Sequence, residues 1–237
     1  MHRIGSCLLA ACASIAASVQ PASAQQTLNF TLGYFAVRGE DARGSGDVLL
    51  DNRDLLVFDI GDFNSASIGG EWLVPLGRYF EGGAGLAFSR RTVPSVYADF
   101  VDADGSEVDQ DLRLRMMPVS FTVRVLPLGQ SSALQPYFGA GLGIFAWRYS
   151  EFGEFIDFSG GRNIIFRDEF VASGTETGPI ALGGIRFAGN TLSGGFEVRY
   201  QSADAALGSE FAHLGPDARI DLGGWTYQLT VGYRFGR

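Results

Sequence analysis

The sequence predicts an all-β fold: an eight-stranded antiparallel up-and-down transmembrane β-barrel. Three observations predict it. Segments of about ten residues alternate apolar with small or polar side chains, as a strand between lipid and a lumen must. Three of the connections between segments are very short, whereas four are long and polar, the asymmetry expected of short periplasmic turns and long outer loops. Glycines number 33 and aromatics reach 13%, with no helical heptads and no apolar run of membrane-helix length.

The eight segments follow in order. Residues 28–38 place Leu28, Phe30, Leu32 and Tyr34 on one face, with Asn29, Thr31 and Gly33 on the other. Residues 65–76 set Ala66, Ile68, Trp72 and Val74 against Ser67, Gly69 and Glu71. After the turn Pro75-Leu76-Gly77-Arg78, residues 79–91 set Phe80, Ala84, Leu86 and Phe88 against Glu81, Gly83, Gly85 and Ser89. Residues 112–126 set Met117, Val119, Phe121 and Val123 against Pro118, Ser120, Thr122 and Arg124. Residues 135–149 alternate Phe138, Ala140, Leu142 and Ile144 with glycines 139, 141 and 143. The sixth segment, 178–187, has the least distinct faces. Residues 192–201 set Phe196, Val198 and Tyr200 against Glu197, Arg199 and Gln201. Residues 224–235 set Trp225, Tyr227, Leu229, Val231, Tyr233 and Phe235 against Thr226, Gln228, Thr230 and Arg234.

A soluble lipocalin-like barrel would share this alternation with its apolar face turned inward. Dense glycine on one face of the third and fifth segments favours a narrow, filled interior. Aromatic residues at the ends of the apolar faces (Trp72, Phe80, Trp147, Trp225, Tyr233 and Phe235) favour interfacial girdles. An even strand count puts both ends of the barrel on the periplasmic side, and eight strands leave no room for a wide aqueous pore.

Residues 1–24 read as a signal peptide: basic Met1-His2-Arg3, an apolar and small-residue run, and Ala22-Ser23-Ala24 as cleavage site, leaving 25–237 as the barrel domain. A lipobox ending on Cys12 is the rival reading of the same stretch. Both cysteines, Cys7 and Cys12, fall in the signal, which excludes disulfides and cysteine catalysis in the mature chain. Losing Arg3 leaves 17 basic residues, all arginine, against 26 acidic ones, a net −9 that argues against nucleic acid as a partner.

The segment Pro136-Tyr137-Phe138-Gly139-Ala140-Gly141-Leu142-Gly143 and the terminal Gly232-Tyr233-Arg234-Phe235 resemble the small bacterial outer-membrane barrels of the OmpA and OmpX kind. That resemblance implies a cell-outer-membrane location and contact with outer-membrane lipids and lipopolysaccharide. It also implies recognition of the last strand by the barrel-assembly machinery, although Gly236 and Arg237 follow the aromatic residue that usually closes such strands. With no peptidoglycan-binding segment after the last strand, an envelope-tethering role is not expected.

Four features carry candidate chemistry. Glu71, Glu81, Arg124, Glu197, Arg199 and Arg234 lie on small-polar faces, where an isolated charge costs several kcal/mol, so an interior Glu–Arg network is expected. Asp102, Asp104, Glu107, Asp109 and Asp111 form an acidic loop; they supply hard oxygen donors but lack EF-hand spacing, so a solvated loop is expected and no metal or other cofactor is assigned. Residues 150–170 carry Phe152, Phe155, Phe158, Phe166 and Phe170, read as strands extended past the membrane with a loop over the mouth, or else as a surface for an extracellular partner. His213 is the one histidine after the signal, which makes zinc and lipid A hydrolysis poor readings. The functional expectation is a non-enzymatic structural or surface-interaction barrel with a plugged lumen. A narrow OmpW-like channel for small or hydrophobic molecules is the alternative, and a lipid A-modifying enzyme ranks third.

Overall fold

A computed structural model describes residues 25–158, 163–215 and 217–236; the predicted signal peptide lies outside them, as does the side chain of His213. Eight antiparallel strands close into a ring: β1 (Gln26–Val37), β2 (Ser65–Pro75), β3 (Phe80–Val101), β4 (Glu107–Val125), β5 (Leu134–Asp157), β6 (Ile164–Ala188), β7 (Leu192–Gln201) and β10 (Gly224–Phe235). Between β7 and the last strand, β8 (Asp204–Ala206) and β9 (Arg219–Asp221) form a small separate ladder. The ring closes where β1 pairs with β10 over its whole length, from Gln26 opposite Phe235 to Val37 opposite Gly224. No sheet edge is therefore left within the membrane, where unpaired backbone groups find no water.

In the half of the ring near the short turns, apolar side chains face out. Leu142 is 66% exposed and Leu229 61%, with Leu28, Phe30, Leu32, Phe121 and Phe138 similarly bare. On β5 this belt runs from Phe138 to Ala146. At ~3.3 Å per residue and a tilt of ~40° it spans roughly 23 Å, the height of an outer-membrane apolar band. The exposed belt excludes the soluble, lipocalin-like alternative.

Beyond the belt the polarity of the two faces inverts while the strands continue. On β4, Ser120, Thr122 and Arg124 point inward below the crossover and Phe121 and Val123 outward; above it Leu112, Leu114 and Met116 point inward and Arg113 and Arg115 outward. The same exchange occurs on β5, where Phe145, Trp147 and Tyr149 are buried and Arg148 is exposed. Trp147 is thus not an interfacial residue as the sequence predicts. Strand parity turns it inward, 5% exposed, into an apolar core with Phe35, Leu49, Phe63, Leu112, Phe211 and Leu222. Trp72, Phe80, Trp225, Tyr233 and Phe235 do face out, and Trp72 Nε1 donates to Gln26 Oε1 at 2.9 Å.

The second and third long loops are largely strand. β3 and β4 are joined by residues 102–106 alone, and the β5–β6 hairpin pairs from Leu134–Phe187 to Asp157–Ile164. The barrel mouth is covered instead by residues 38–64, 202–215 and 217–223. The first of these holds α1 (Val48–Arg53), whose amide at Leu49 is capped by the Asp47 carboxylate at 3.1 Å. Val48 and Leu49 are fully buried against the core. Asp47 also receives both bonds of Arg43 Nη1, at 2.8 Å each, and the Asp221 amide at 2.7 Å; Arg38 pairs with Asp221 at 2.8 Å. These bonds staple the two covering segments to each other and to the rim of β1.

A buried carboxyl of β5 beneath this cap has no ion pair among the described residues. Glu151, 3% exposed, accepts from Asn52 Nδ2 of α1 at 2.6 Å and from the Tyr149 hydroxyl at 2.9 Å. Burial pushes its pKa above the usual 4.5, the two hydrogen bonds pulling it partly back. A raised folded-state pKa stabilises the cap fully at pH below about 4.5 and loses that contribution as pH rises through the raised value. Hydrogen exchange at the α1 amides should therefore speed up, relative to the belt, as pH rises above this range, after correction for intrinsic rates. Glu151→Gln should flatten that dependence; an unchanged profile in the variant would refute the assignment.

Candidate functional site

Below the apolar core the lumen is filled by charge. Every lumen residue here comes from the inward set of a belt strand: Glu71 (β2), Glu81 (β3), Arg124 (β4), Tyr137 (β5), Arg186 (β6), and Glu197 and Arg199 (β7). Arg124, 1% exposed, bridges Glu71 and Glu197, the latter at 2.8 Å, and its guanidinium lies 4.8 Å from the Tyr137 ring centre. Arg199 bridges the same two carboxylates at 3.2 and 2.9 Å and donates to Ser120 Oγ at 3.1 Å. Glu197, 0% exposed, also receives Tyr137 OH at 3.1 Å and Gln228 Nε2 at 2.9 Å. Nearer the short turns Arg186 forks onto Glu81 at 2.8 and 3.1 Å while its Nε donates to Gln135 at 2.8 Å. Three guanidiniums thus meet three carboxylates in this network.

Room for these long side chains comes from glycines directly across the ladder. Glu71 faces Gly85, Arg124 faces Gly139, Glu197 faces Gly184 and Arg186 faces Gly195. A Cβ on Gly184 would stand 2.5 Å from the Phe196 carbonyl and 2.6 Å from the Tyr137 hydroxyl. Outward-facing Gly183, its neighbour, would meet nothing closer than 3.8 Å. Between the network and the apolar core lies a small cavity of about 30 Å³, lined by Glu71, Ser89, Ser120, Arg199, Gln201 and Gln228 among others. Its lining is mixed, with Phe35, Met116 and Ile180 beside the polar groups, and it has room for a water or two.

Five of the six charges named from sequence meet here; Arg234 does not. It lies near the end of the last strand, where its Nη1 donates to the Gly189 carbonyl, and no ion pair to it is found among the described residues. Arg186, Tyr137, Gln135 and Gln228 were not anticipated. The signal for Arg186 was present in its spacing of two from Gly184, but paired glycines at 183–184 blurred the faces of β6. The acidic candidates stay apart. Asp102 and Asp104 bond within their own turn, to Ala103 N and to Ser106, while Glu107 and Asp109 lie on β4. No group of three or more acidic, histidine or cysteine side chains suited to a metal occurs among the described residues.

The closed ring of eight with an exposed apolar belt decides the architecture. Its fold is that of the small eight-stranded outer-membrane barrels. No protein-family model and no curated protein matches the chain. Among solved structures it is similar to the attachment invasion locus protein Ail of Yersinia pestis, at 11% identity over 90% of this chain and 99% of that one, TM-score 0.47. It is also similar to OprG from Pseudomonas aeruginosa, at 15% identity over 91% and 98%, TM-score 0.47, and to Neisserial surface protein A, at 11% over 89% and 97%, TM-score 0.46.

Removing one member of a buried charge network leaves the others uncompensated. Glu197→Ala should cost about 3–5 kcal/mol of unfolding free energy in urea titrations. Arg234→Ala should stay within about 0.5 kcal/mol of the parent. The glycine pair gives a second contrast: Gly184→Ala should cost about 1–3 kcal/mol by overpacking, and Gly183→Ala should be near neutral. Equal effects at the two glycines would contradict the inward–outward assignment.

Proposed function

We propose that this protein is a closed, non-catalytic barrel of the bacterial outer membrane, serving as a scaffold that presents an ordered extracellular surface. The observation that carries the reading is the double closure of its lumen. The Glu–Arg network fills the half within the belt, and the apolar core beneath α1 and the β8–β9 ladder fills the half above it. A channel would need a path through both layers, and the cavity between them is about 30 Å³. Export through residues 1–24 and insertion by assembly machinery reading the outward row Trp225, Tyr227, Leu229, Val231, Tyr233 and Phe235 complete the proposal.

Surface interaction would fall to the β3–β6 extension. Its tip bares Val101, Phe152, Phe158, Ile164 and Phe166, 39–63% exposed, above the level where lipid covers such groups. Purified barrel in planar bilayers should give no discrete conductance steps. Arg124→Ala combined with Arg199→Ala, opening the lower layer only, should still give none, because the apolar layer remains. Steady unitary conductance from the unaltered protein would refute the closed reading.

A further inference from the structure

One set of charges outside the lumen has no hydrogen-bond or ion-pair partner among the described residues. On the outward face Arg90 of β3, Arg115 of β4 and Arg148 of β5 stand in a single row, Arg90 opposite Arg115 and Arg115 opposite Arg148. All three are exposed. Side chains directly opposite on neighbouring strands lie ~5 Å apart, a distance at which like charges destabilise a sheet. No ion pair to any of the three is found among the described residues. Their outward neighbours along each strand are Phe88 and Thr92, Met117 and Arg113, Ala146 and Ser150, and the row continues onto β6 as Ser173. The outward carboxylates Asp111 of β4 and Glu169 of β6 lie farther from the belt.

The height of the row is the second observation. Each arginine stands two residues beyond the last belt position of its strand, where the faces exchange polarity. On β1, β7 and β10 the outward rim carries aromatics: Tyr34 opposite Tyr227, and Tyr200 opposite Trp225 with ring centres 4.9 Å apart. A chain of net charge −8 has thus gathered unpaired cations on one arc at one height. Guanidinium forks bind phosphate bidentately, and phosphate is the anion that lipid headgroups hold at this level. One phosphate engages two neighbouring guanidiniums. A row of three with serine beyond it, spanning ~10 Å across the strands, fits a headgroup carrying more than one phosphate on a sugar frame.

We infer that Arg90, Arg115 and Arg148 bind the phosphates of a multiply phosphorylated glycolipid in the loop-side leaflet, its acyl chains lying along Phe88, Met117 and Ile144. The site rests on the membrane reading of the belt. The test uses the full barrel in phosphatidylcholine nanodiscs, titrated with a bis-phosphorylated, acylated glucosamine disaccharide, the same lipid without phosphates, phosphatidylglycerol, and inorganic phosphate. The unaltered barrel should bind the bis-phosphorylated lipid about tenfold or more tightly over its phosphate-free form, a difference of about 1.4 kcal/mol. R90Q/R115Q/R148Q should abolish that preference, whereas R78Q, an exposed arginine at the opposite end, should keep it. Should the triple variant not fold, R115Q alone, at the centre of the row, should lower the preference several-fold. A preference that survives these changes, or falls equally in R78Q, overturns the site. Equal binding of phosphatidylglycerol overturns the glycolipid assignment, and competition by millimolar inorganic phosphate alone would make the row a free-anion site. Failure to enter nanodiscs would strike the membrane reading itself and is scored separately from lipid preference.

Discussion

Ring closure is the constraint on which the rest of this structure depends. Within hydrocarbon every backbone donor and acceptor must be paired inside the chain, and the β1–β10 ladder leaves no strand edge there. Closure at eight strands then fixes a lumen too narrow for bulk water and too wide to be left empty. The inward residues must therefore fill it, and in a barrel whose outward face is already apolar that filling also has to say which face is inside.

Charge does this in a way that apolar filling does not. Because side chains alternate along a strand, a slip of one residue exchanges the two faces. With apolar residues on both faces a slip would cost little. With Glu71, Arg124, Glu197 and Arg199 inside, the same slip would push ions into lipid, at about 2–4 kcal/mol for each arginine at the bilayer midplane. Buried ion pairs add little net stability against a hydrophobic filling of equal volume. Their value here is in fixing register, and each carboxylate of the network has a guanidinium against it. Glycines 85, 139, 184 and 195 across the ladder are the steric counterpart of that choice.

The alternation that carries this logic is readable from sequence wherever one face meets lipid, which is why all eight wall strands and five of the network charges are legible there. Legibility ends where the lipid does. Above the belt the inward face turns apolar and the outward face turns polar, so a strand continuing without interruption looks like a strand that has stopped. Residues 101–111 read as a loop for this reason, although β4 takes up 107–111, whereas the five phenylalanines of 150–170 point to strands carried past the membrane, as β5 and β6 are there to Asp157 and from Ile164. Trp147 shows the same effect in one residue. The general preference of tryptophan for interfaces points outward, while the parity set by Phe138, Leu142 and Ile144 points inward. Parity wins, because a strand cannot rotate one side chain without rotating the next. Arg186 was hidden for a different reason: beside Gly183 and Gly184 neither face of β6 carries contrast.

Inversion of polarity also locates the membrane boundary without reference to any other protein. On β4 it falls at Met116–Met117, on β5 between Ile144 and Arg148, and on β3 between Phe88 and Arg90. These positions are adjacent in register, so they trace one level around the barrel wall. Below that level the protein is organised against lipid; above it, with Leu49, Phe63, Phe145 and Phe211 inside, it is organised as a water-soluble domain is. A residue on the boundary faces neither solvent fully, and its side chain is matched to headgroups. Tyrosine and tryptophan meet that need on one arc through rings and hydroxyls. On the other arc three adjacent arginines stand at that level, and phosphates of the lipid proposed to bind there would relieve the repulsion between them.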